Sequence, residues 1–155
     1  LTDGKVEILE ARAVDAREIA ALHLKARREA MPDLQHPLTD EEITAWFLRT
    51  VAKPSGAWWI ARCGKQIVGY MVLQDEDVGH LYVLPGWQGR GVGSDLLNKA
   101  KELSPRRLTL FALRRNVKAR DFYEARAFRS VGSVEGDGGR LGNEPDVEYV
   151  WEAAE

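Results

Sequence analysis

The residues best suited to bind an anionic ligand are crowded into one short run. Gln88-Gly89-Arg90-Gly91-Val92-Gly93-Ser94 follows the apolar and aromatic stretch His80-Leu81-Tyr82-Val83-Leu84, which ends at Pro85. A proline ends strand pairing, and Val92, Leu96, Ala100 and Leu103 then recur at helical spacing, so the run reads as strand, glycine loop, helix. Glycines at 89, 91 and 93 let the backbone turn tightly and approach a ligand, while the first N–H groups of the helix have no intrahelical partners. Such a loop holds phosphates. The helix dipole contributes roughly 0.3–1 kcal/mol per anionic group, and several oriented donors outweigh any single charge. A connection that only had to turn would not need so many glycines, each of which adds entropy to the unfolded chain.

Two familiar phosphate loops do not fit. A nucleoside-triphosphate loop requires Lys and then Ser or Thr after its last glycine, and here Ser94 and Asp95 follow Gly93. A dinucleotide fingerprint starting at Gly89 and Gly91 would want a glycine at 94. The run instead resembles the acyl-coenzyme A pyrophosphate loop of the GNAT superfamily of N-acetyltransferases: Gln or Arg, two residues, Gly, one residue, Gly or Ala. Gln88, Gly91 and Gly93 fill those positions, with Val83-Leu84-Pro85 ahead of them as the family's strand end. The resemblance implies that Gln88, Gly89, Arg90, Gly91, Val92, Gly93 and Ser94 form the binding loop. Backbone groups of Leu81 and Val83 would pair with the pantetheine arm.

A second stretch is similar to the same family. Asn116-Val117-Lys118-Ala119-Arg120-Asp121-Phe122-Tyr123-Glu124-Ala125-Arg126-Ala127-Phe128 follows its pattern of Asn, two residues, Ala, two residues, Phe-Tyr, three residues, Gly-Phe, except that Ala127 stands in place of glycine. Asn116 and Tyr123 thereby join the expected cofactor-binding residues. The departure bears on the turn before the next strand, not on Tyr123.

Acylating an amine poses two proton problems. A lysine-like amine of pKa ~10.4 must be neutral near pH 7, which costs about 4.6 kcal/mol at 1.36 kcal/mol per unit, so a base or a water chain is required. The departing thiolate, with a pKa near 8.5 if it resembles cysteine, can be protonated by a neutral tyrosine of pKa ~10. The resemblance gives Tyr123 that role. Asp77, and next Glu76, at the start of the strand leading to Val83, are the acidic candidates for the base, with His80 as an imidazole alternative. The acidic trio Asp75-Glu76-Asp77 equally suits a solvated turn. The carbonyl oxygen that gains charge during transfer needs a donor, and the Val83 N–H is the family's usual one. Cys63 falls at a hairpin turn with no histidine nearby in sequence, which favours direct attack by the amine over an acyl-cysteine route. His23 and His36 have no metal-spaced partner and read as surface or loop residues, so no metal is expected, while Trp46, Trp58 and Trp59 read as core.

The elements that must position these groups follow from periodicity. Residues 6–11 alternate as a first strand; Asp15 with Glu18 has capping-box spacing ahead of a first helix whose stripe is Ile19, Leu22, Ala26 and Ala30. Thr39 with Glu42 repeats that spacing before Ile43, Trp46 and Phe47 in a second helix. Residues 57–62 and 65–73 read as a hairpin joined at Cys63-Gly64, and a fourth strand ends at Val83. After the glycine-loop helix come a strand over 107–113, a short helix capped by Asn116, and strands over 128–134 and 147–151. The order β-α-α-β-β-β-α-β-α-β-β matches the GNAT fold: an α/β (α+β) domain with a mixed, mostly antiparallel seven-stranded sheet flanked by helices. Its strand-helix-strand unit between Val83 and Asn116 would splay to admit the ligand.

At 155 residues the chain, 1–155, is expected to form a single domain, with no repeat or linker. A net charge of -2 gives no general attraction to nucleic acid or anionic membrane, and no apolar run approaches the ~18 residues of a membrane span. One cysteine and no signal-peptide pattern suggest a cytoplasmic protein. The expected activity is acetyl transfer from acetyl-CoA as cosubstrate to a primary amine, small molecule or peptide, in a ternary complex. A non-catalytic acyl-CoA-binding regulatory module is the alternative, and a nucleotide-binding protein a third. Acceptor choice would come from residues 31–38, the start of the second helix, and 137–146, where Asp137, Glu144 and Asp146 could attract a cationic amine. A homodimer paired through the strand over 147–151 is a further expectation.

Overall fold

The structure, a computed structural model, describes residues 4–134 and 145–154. Its elements are β1 (Val6–Glu10), α1 (Ala16–Ala30), α2 (Asp40–Ala52), β2 (Ala57–Cys63), β3 (Gln66–Gln74), β4 (Asp77–Val83), α3 (Val92–Leu103), β5 (Arg107–Leu113), α4 (Val117–Glu124), β6 (Arg129–Val134) and β7 (Asp146–Glu152). The expected order holds. The strands form a seven-stranded sheet in the order β1-β2-β3-β4-β5-β7-β6, antiparallel throughout except for β4 beside β5. One face carries α1 and α2, with Ile19, Leu22, Phe47, Ile60 and Tyr70 in its core. The other carries α3 and α4 over Met71, Val92, Leu96, Leu108, Leu110 and Tyr149.

Local chemistry explains most of the boundaries. At α2 the Thr39 hydroxyl accepts from the Glu42 N–H (3.1 Å), and the Glu42 carboxylate accepts from the Thr39 N–H (2.9 Å), the reciprocal box read from sequence. The matching box at Asp15 and Glu18 does not form. A single 3-10 turn, Ala13–Asp15, precedes α1; Asp15 accepts from the Arg12 N–H (2.7 Å), and Glu18 is drawn to the Ile67 N–H of β3 (2.9 Å). A tertiary donor has displaced the local one. The β2–β3 turn is Gly64-Lys65, one residue later than expected, so Cys63 is a strand residue whose thiol donates to the Gly4 carbonyl. Leu103, expected on the buried stripe of α3, is 47% exposed at the helix end. β7 lies between β5 and β6, so both its edges are already paired and the strand edges of the sheet belong to β1 and β6.

Two irregularities shape the centre of the sheet. Val72 pairs with His80 while Leu73 pairs with Val78, which leaves Gly79 as an extra residue in β4. The bulge reverses the side-chain alternation: Val78, Leu81 and Val83 face α3 and α4, whereas His80 and Tyr82 meet rings from α1 and α2. Beside it, β4 and β5 pair only at Asp77 with Thr109 and Val78 with Leu110, and then diverge. No helix among the described residues is long and apolar enough to cross a membrane.

Candidate active site

The gap opened between β4 and β5 is where the loop residues converge. In the antiparallel β3–β4 ladder the Leu84 N–H donates to the Val68 carbonyl (2.8 Å), which fixes alternate positions as hydrogen-bonded pairs. Leu81 and Val83 fall on the other positions, so their N–H and C=O groups point away from β3 and toward the gap. Consistent with that direction, the Gln88 side-chain amide donates to the Val83 carbonyl at 3.4 Å.

Beyond Val83 the chain turns through the glycine loop into α3. Gly91, the N-cap, has φ +86°, and the space where a side chain would stand is open. Gly93 has a different reason: a Cβ there would lie 3.1 Å from the Phe122 ring and 3.6 Å from Val83, so its absence lets α3 close on α4. The Trp87 N–H donates to Leu84 and the Asp95 N–H to Gly91. The close backbone hydrogen bonds around this turn start from Trp87 and Asp95, on either side of 88–94. A glycine turn at a helix N-terminus fits a diphosphate.

A cleft of about 330 Å³ runs along this loop, lined by Leu81, Val83, Gln88, Gly89, Gly91, Gly93, Ser94, Asn116 and Tyr123 among others. Two residues of the expected loop are absent from its wall. Val92 is buried in the core, and the Arg90 guanidinium lies 4.8 Å over the Trp87 ring. Lys118 and Arg126, not singled out from sequence, supply positive charge in their place. The Lys118 ammonium donates to Gln88 Oε1 (2.7 Å), and the Arg126 guanidinium donates to the Ser94 hydroxyl (2.9 and 3.1 Å) while lying over Phe122. Arg126 sits one helical turn beyond Phe122, the sort of spacing that could have drawn notice; an exposed lysine inside the Asn116 motif carried no such signal. Asn116 itself caps α4, its side-chain oxygen accepting from the Ala119 N–H (3.2 Å).

A second cleft of about 440 Å³ opens on the α1–α2 side. It shares Leu81, Tyr82, Asn116, Ala119 and Tyr123 with the first, so the two meet at the splayed strands. His80 lines it, stacked on Trp46 with ring centroids 5.7 Å apart and planes 10° apart. The His80 Nδ1 lies 2.8 Å from the Tyr70 hydroxyl, which in turn lies 2.9 Å from His23 Nδ1. His23 is therefore no surface residue: α1 buries it, and burial, reinforced by the nearby His80, Arg27 and His36, lowers its pKa from 6.5 to about 3. Burial likewise holds the Tyr70 phenol well above its ordinary range, so it stays protonated. Trp46, expected in the core, is 37% exposed in the cleft wall, whereas Trp58 is buried. His36 also lines the cleft.

The acidic candidates lie elsewhere. Asp77 is where β4 and β5 are still paired, its carboxylate accepting from the Thr109 hydroxyl (3.0 Å), and Glu76 is ion-paired with Arg107. Neither lines either cleft. Val83 is six residues further along β4, about 20 Å at strand rise. Of the expected acceptor-loop acids, Asp137 and Glu144 lie outside the described residues, and Asp146 is 1% exposed at the start of β7.

Comparison with known proteins agrees with this architecture. Residues 54–130, which hold β2 to α4, match the family model described as an acetyltransferase (GNAT) domain. The chain is 29% identical over 145 residues to the probable N-acetyltransferase Rv2775 of Mycobacterium tuberculosis, covering 83% of each. Its fold is similar to the solution structure of apo YjaB from Escherichia coli, with a TM-score of 0.81, 22% identity, and coverage of 97% of this chain and 99% of that one. A crystal structure of the PaiA N-acetyltransferase from Thermoplasma acidophilum in complex with coenzyme A aligns at TM-score 0.72 and 15% identity, over 96% of this chain and 99% of the other. The chain belongs to the GNAT superfamily of acetyltransferases.

Proposed function

We propose that the protein transfers an acetyl group from acetyl-CoA to a primary amine by direct attack, with both substrates bound together. The observation that carries this reading is the junction of the two clefts at Leu81, Tyr82, Asn116, Ala119 and Tyr123. The coenzyme A held by the PaiA structure supports the choice of donor. The amides of 88–94 grip the diphosphate, Lys118 and Arg126 add positive charge, and Leu81 and Val83 pair with pantetheine as an added strand. When bound, acetyl-CoA supplies an acetyl group activated as a thioester.

The chain's own residues do the rest. Val83 N–H is the donor assigned to the carbonyl oxygen as it gains charge, and Tyr123 gives its phenolic proton to the departing thiolate. His80 takes the place of Asp77 as the base. Tyr70 has one hydroxyl proton and two nitrogen neighbours, so one histidine donates to it and the other accepts from it. In the tautomer where neutral His23 accepts the Tyr70 proton, His80 donates from Nδ1 and Nε2 is its basic nitrogen, the atom assigned to the amine's proton. Once protonated, His80 keeps the same Nδ1–H bond to Tyr70, so no rearrangement of the chain of three is needed.

The test is release of coenzyme A thiol across a broad amine panel. Tyr123→Phe should lower kcat by about tenfold or more with the dissociation constant for coenzyme A nearly unchanged, and His80→Gln should remove the acid limb of the pH–rate profile. Unchanged kcat in Tyr123→Phe would refute its role. Tight coenzyme A binding without turnover of any amine would favour the regulatory-module reading.

A further inference from the structure

The wall of the acceptor cleft includes a buried guanidinium that is incompletely satisfied. His23 and Arg27 stand one turn apart on the same face of α1, and Arg27 is only 8% exposed. Its Nη1 is buried and has no hydrogen-bond partner among the described residues. The carboxylate whose charge Arg27 feels, Asp40, shares a neighbouring groove with it but accepts its two bonds of 2.5 Å from Arg28. Among the described residues no Asp or Glu lines the cleft, whose remaining wall is largely apolar, with Leu34, Leu38, Ile43, Trp46 and Phe47. An unpaired buried cation is costly to a folded chain, and a planar carboxylate matches the guanidinium fork with two parallel bonds.

We propose that the acceptor is an amine that also bears a carboxylate on an apolar frame, as a hydrophobic α-amino acid does, with the carboxylate seated on Arg27 and the amine toward His80. The role of His80 rests on the acetyl-transfer reading; the carboxylate site does not. A lysine-rich peptide or a polyamine would instead bring a second positive charge against Arg27, with no carboxylate among the described wall residues to receive it.

The test compares L-phenylalanine, L-leucine and L-methionine with their carboxamides as acceptors at saturating acetyl-CoA. The acids should show kcat/KM at least about tenfold above the amides, because an amide leaves the buried guanidinium unpaired. Arg27→Met should level the two series while coenzyme A alone still binds within about twofold of wild type, and the variant should melt no lower than wild type because an unpaired buried charge is gone. Equal use of acids and amides, a preference that survives Arg27→Met, or preferred acetylation of a lysine-rich peptide would each overturn the proposal. A binding arm separates this from failure of acetyl transfer itself. With coenzyme A present, N-acetyl-L-phenylalanine should raise the melting temperature of wild type more than N-acetyl-L-phenylalaninamide does, and the difference should vanish in Arg27→Met. If no amine is acetylated but that difference is seen, the carboxylate site stands and the transfer reading falls; equal shifts overturn the site whatever the turnover.

Discussion

Replacing Ala127 with glycine should stabilise the protein, and the structure allows the size of the effect to be worked out. The end of α4 closes with the Phe128 N–H on the Tyr123 carbonyl (3.1 Å) and the Ala127 N–H on the Glu124 carbonyl (3.3 Å), a paired closure that requires a left-handed residue at 127. Ala127 adopts it, at φ +68°. The left-handed conformation costs an L-residue with a Cβ roughly 1–2 kcal/mol, a penalty glycine does not bear. Glycine gives back about 0.4–1 kcal/mol through the greater freedom of the unfolded chain. The difference of the two midpoints is a net gain of about 0.8 kcal/mol, or roughly 2–3 °C in melting temperature for a chain of this size. Chemical denaturation and thermal melts of Ala127→Gly beside Ala125→Gly make the measurement. Ala125 has φ −65°, so glycine there relieves nothing and should destabilise by about 0.4–1 kcal/mol. If both variants lose stability alike, the strain assigned to position 127 does not exist.

Two further outcomes follow from the same geometry. His23 is neutral when folded, with its pKa lowered to about 3 from 6.5, so the unfolded chain binds the extra proton between those values and stability falls as pH drops below 6.5. Between pH 8 and pH 5 wild type should lose about 2 kcal/mol relative to His23→Phe in urea unfolding, from 1.36 kcal/mol per unit over 1.5 units; parallel pH profiles for the two proteins would contradict this. Gly91→Ala puts a side chain at φ +86° with free space around it, so its cost is backbone strain alone. A loss of about 0.5–1 kcal/mol and several-fold weaker coenzyme A binding by calorimetry are expected, and an unchanged dissociation constant would show that the loop conformation is not what grips the ligand.

Much of this protein was written locally. The glycine loop, the Asn116 cap, the Thr39–Glu42 box and the order of strands and helices depend on neighbours within a few residues, and they stood in the sequence as motifs and periods. The Asp15–Glu18 box had the same local signature and failed, because Ile67, 49 residues beyond Glu18, offered its N–H to that carboxylate. His23 and Arg27, one turn apart beside the apolar stripe of Leu22 and Ala26 in α1, were a visible clue to the second cleft, left unused because a lone histidine at helical spacing has no partner in view.

What the tertiary structure alone decided is which groups meet. Positions 23, 46, 70 and 80 are far apart along the chain, and only the packing of α1 and α2 over β3 and β4 brings them together. One extra residue, Gly79, decides that the His80 ring packs with the rings of α1 and α2 while Leu81 packs toward α3 and α4, because side chains alternate along a strand and a bulge shifts the alternation by one. Pairing of β4 with β5 stops after Val78, so the residues before that point are held in the sheet and those after it border the opening. Local sequence sets what each element is, since its hydrogen bonds close within a turn or a hairpin; where two distant elements part company depends on the packing of every element between them.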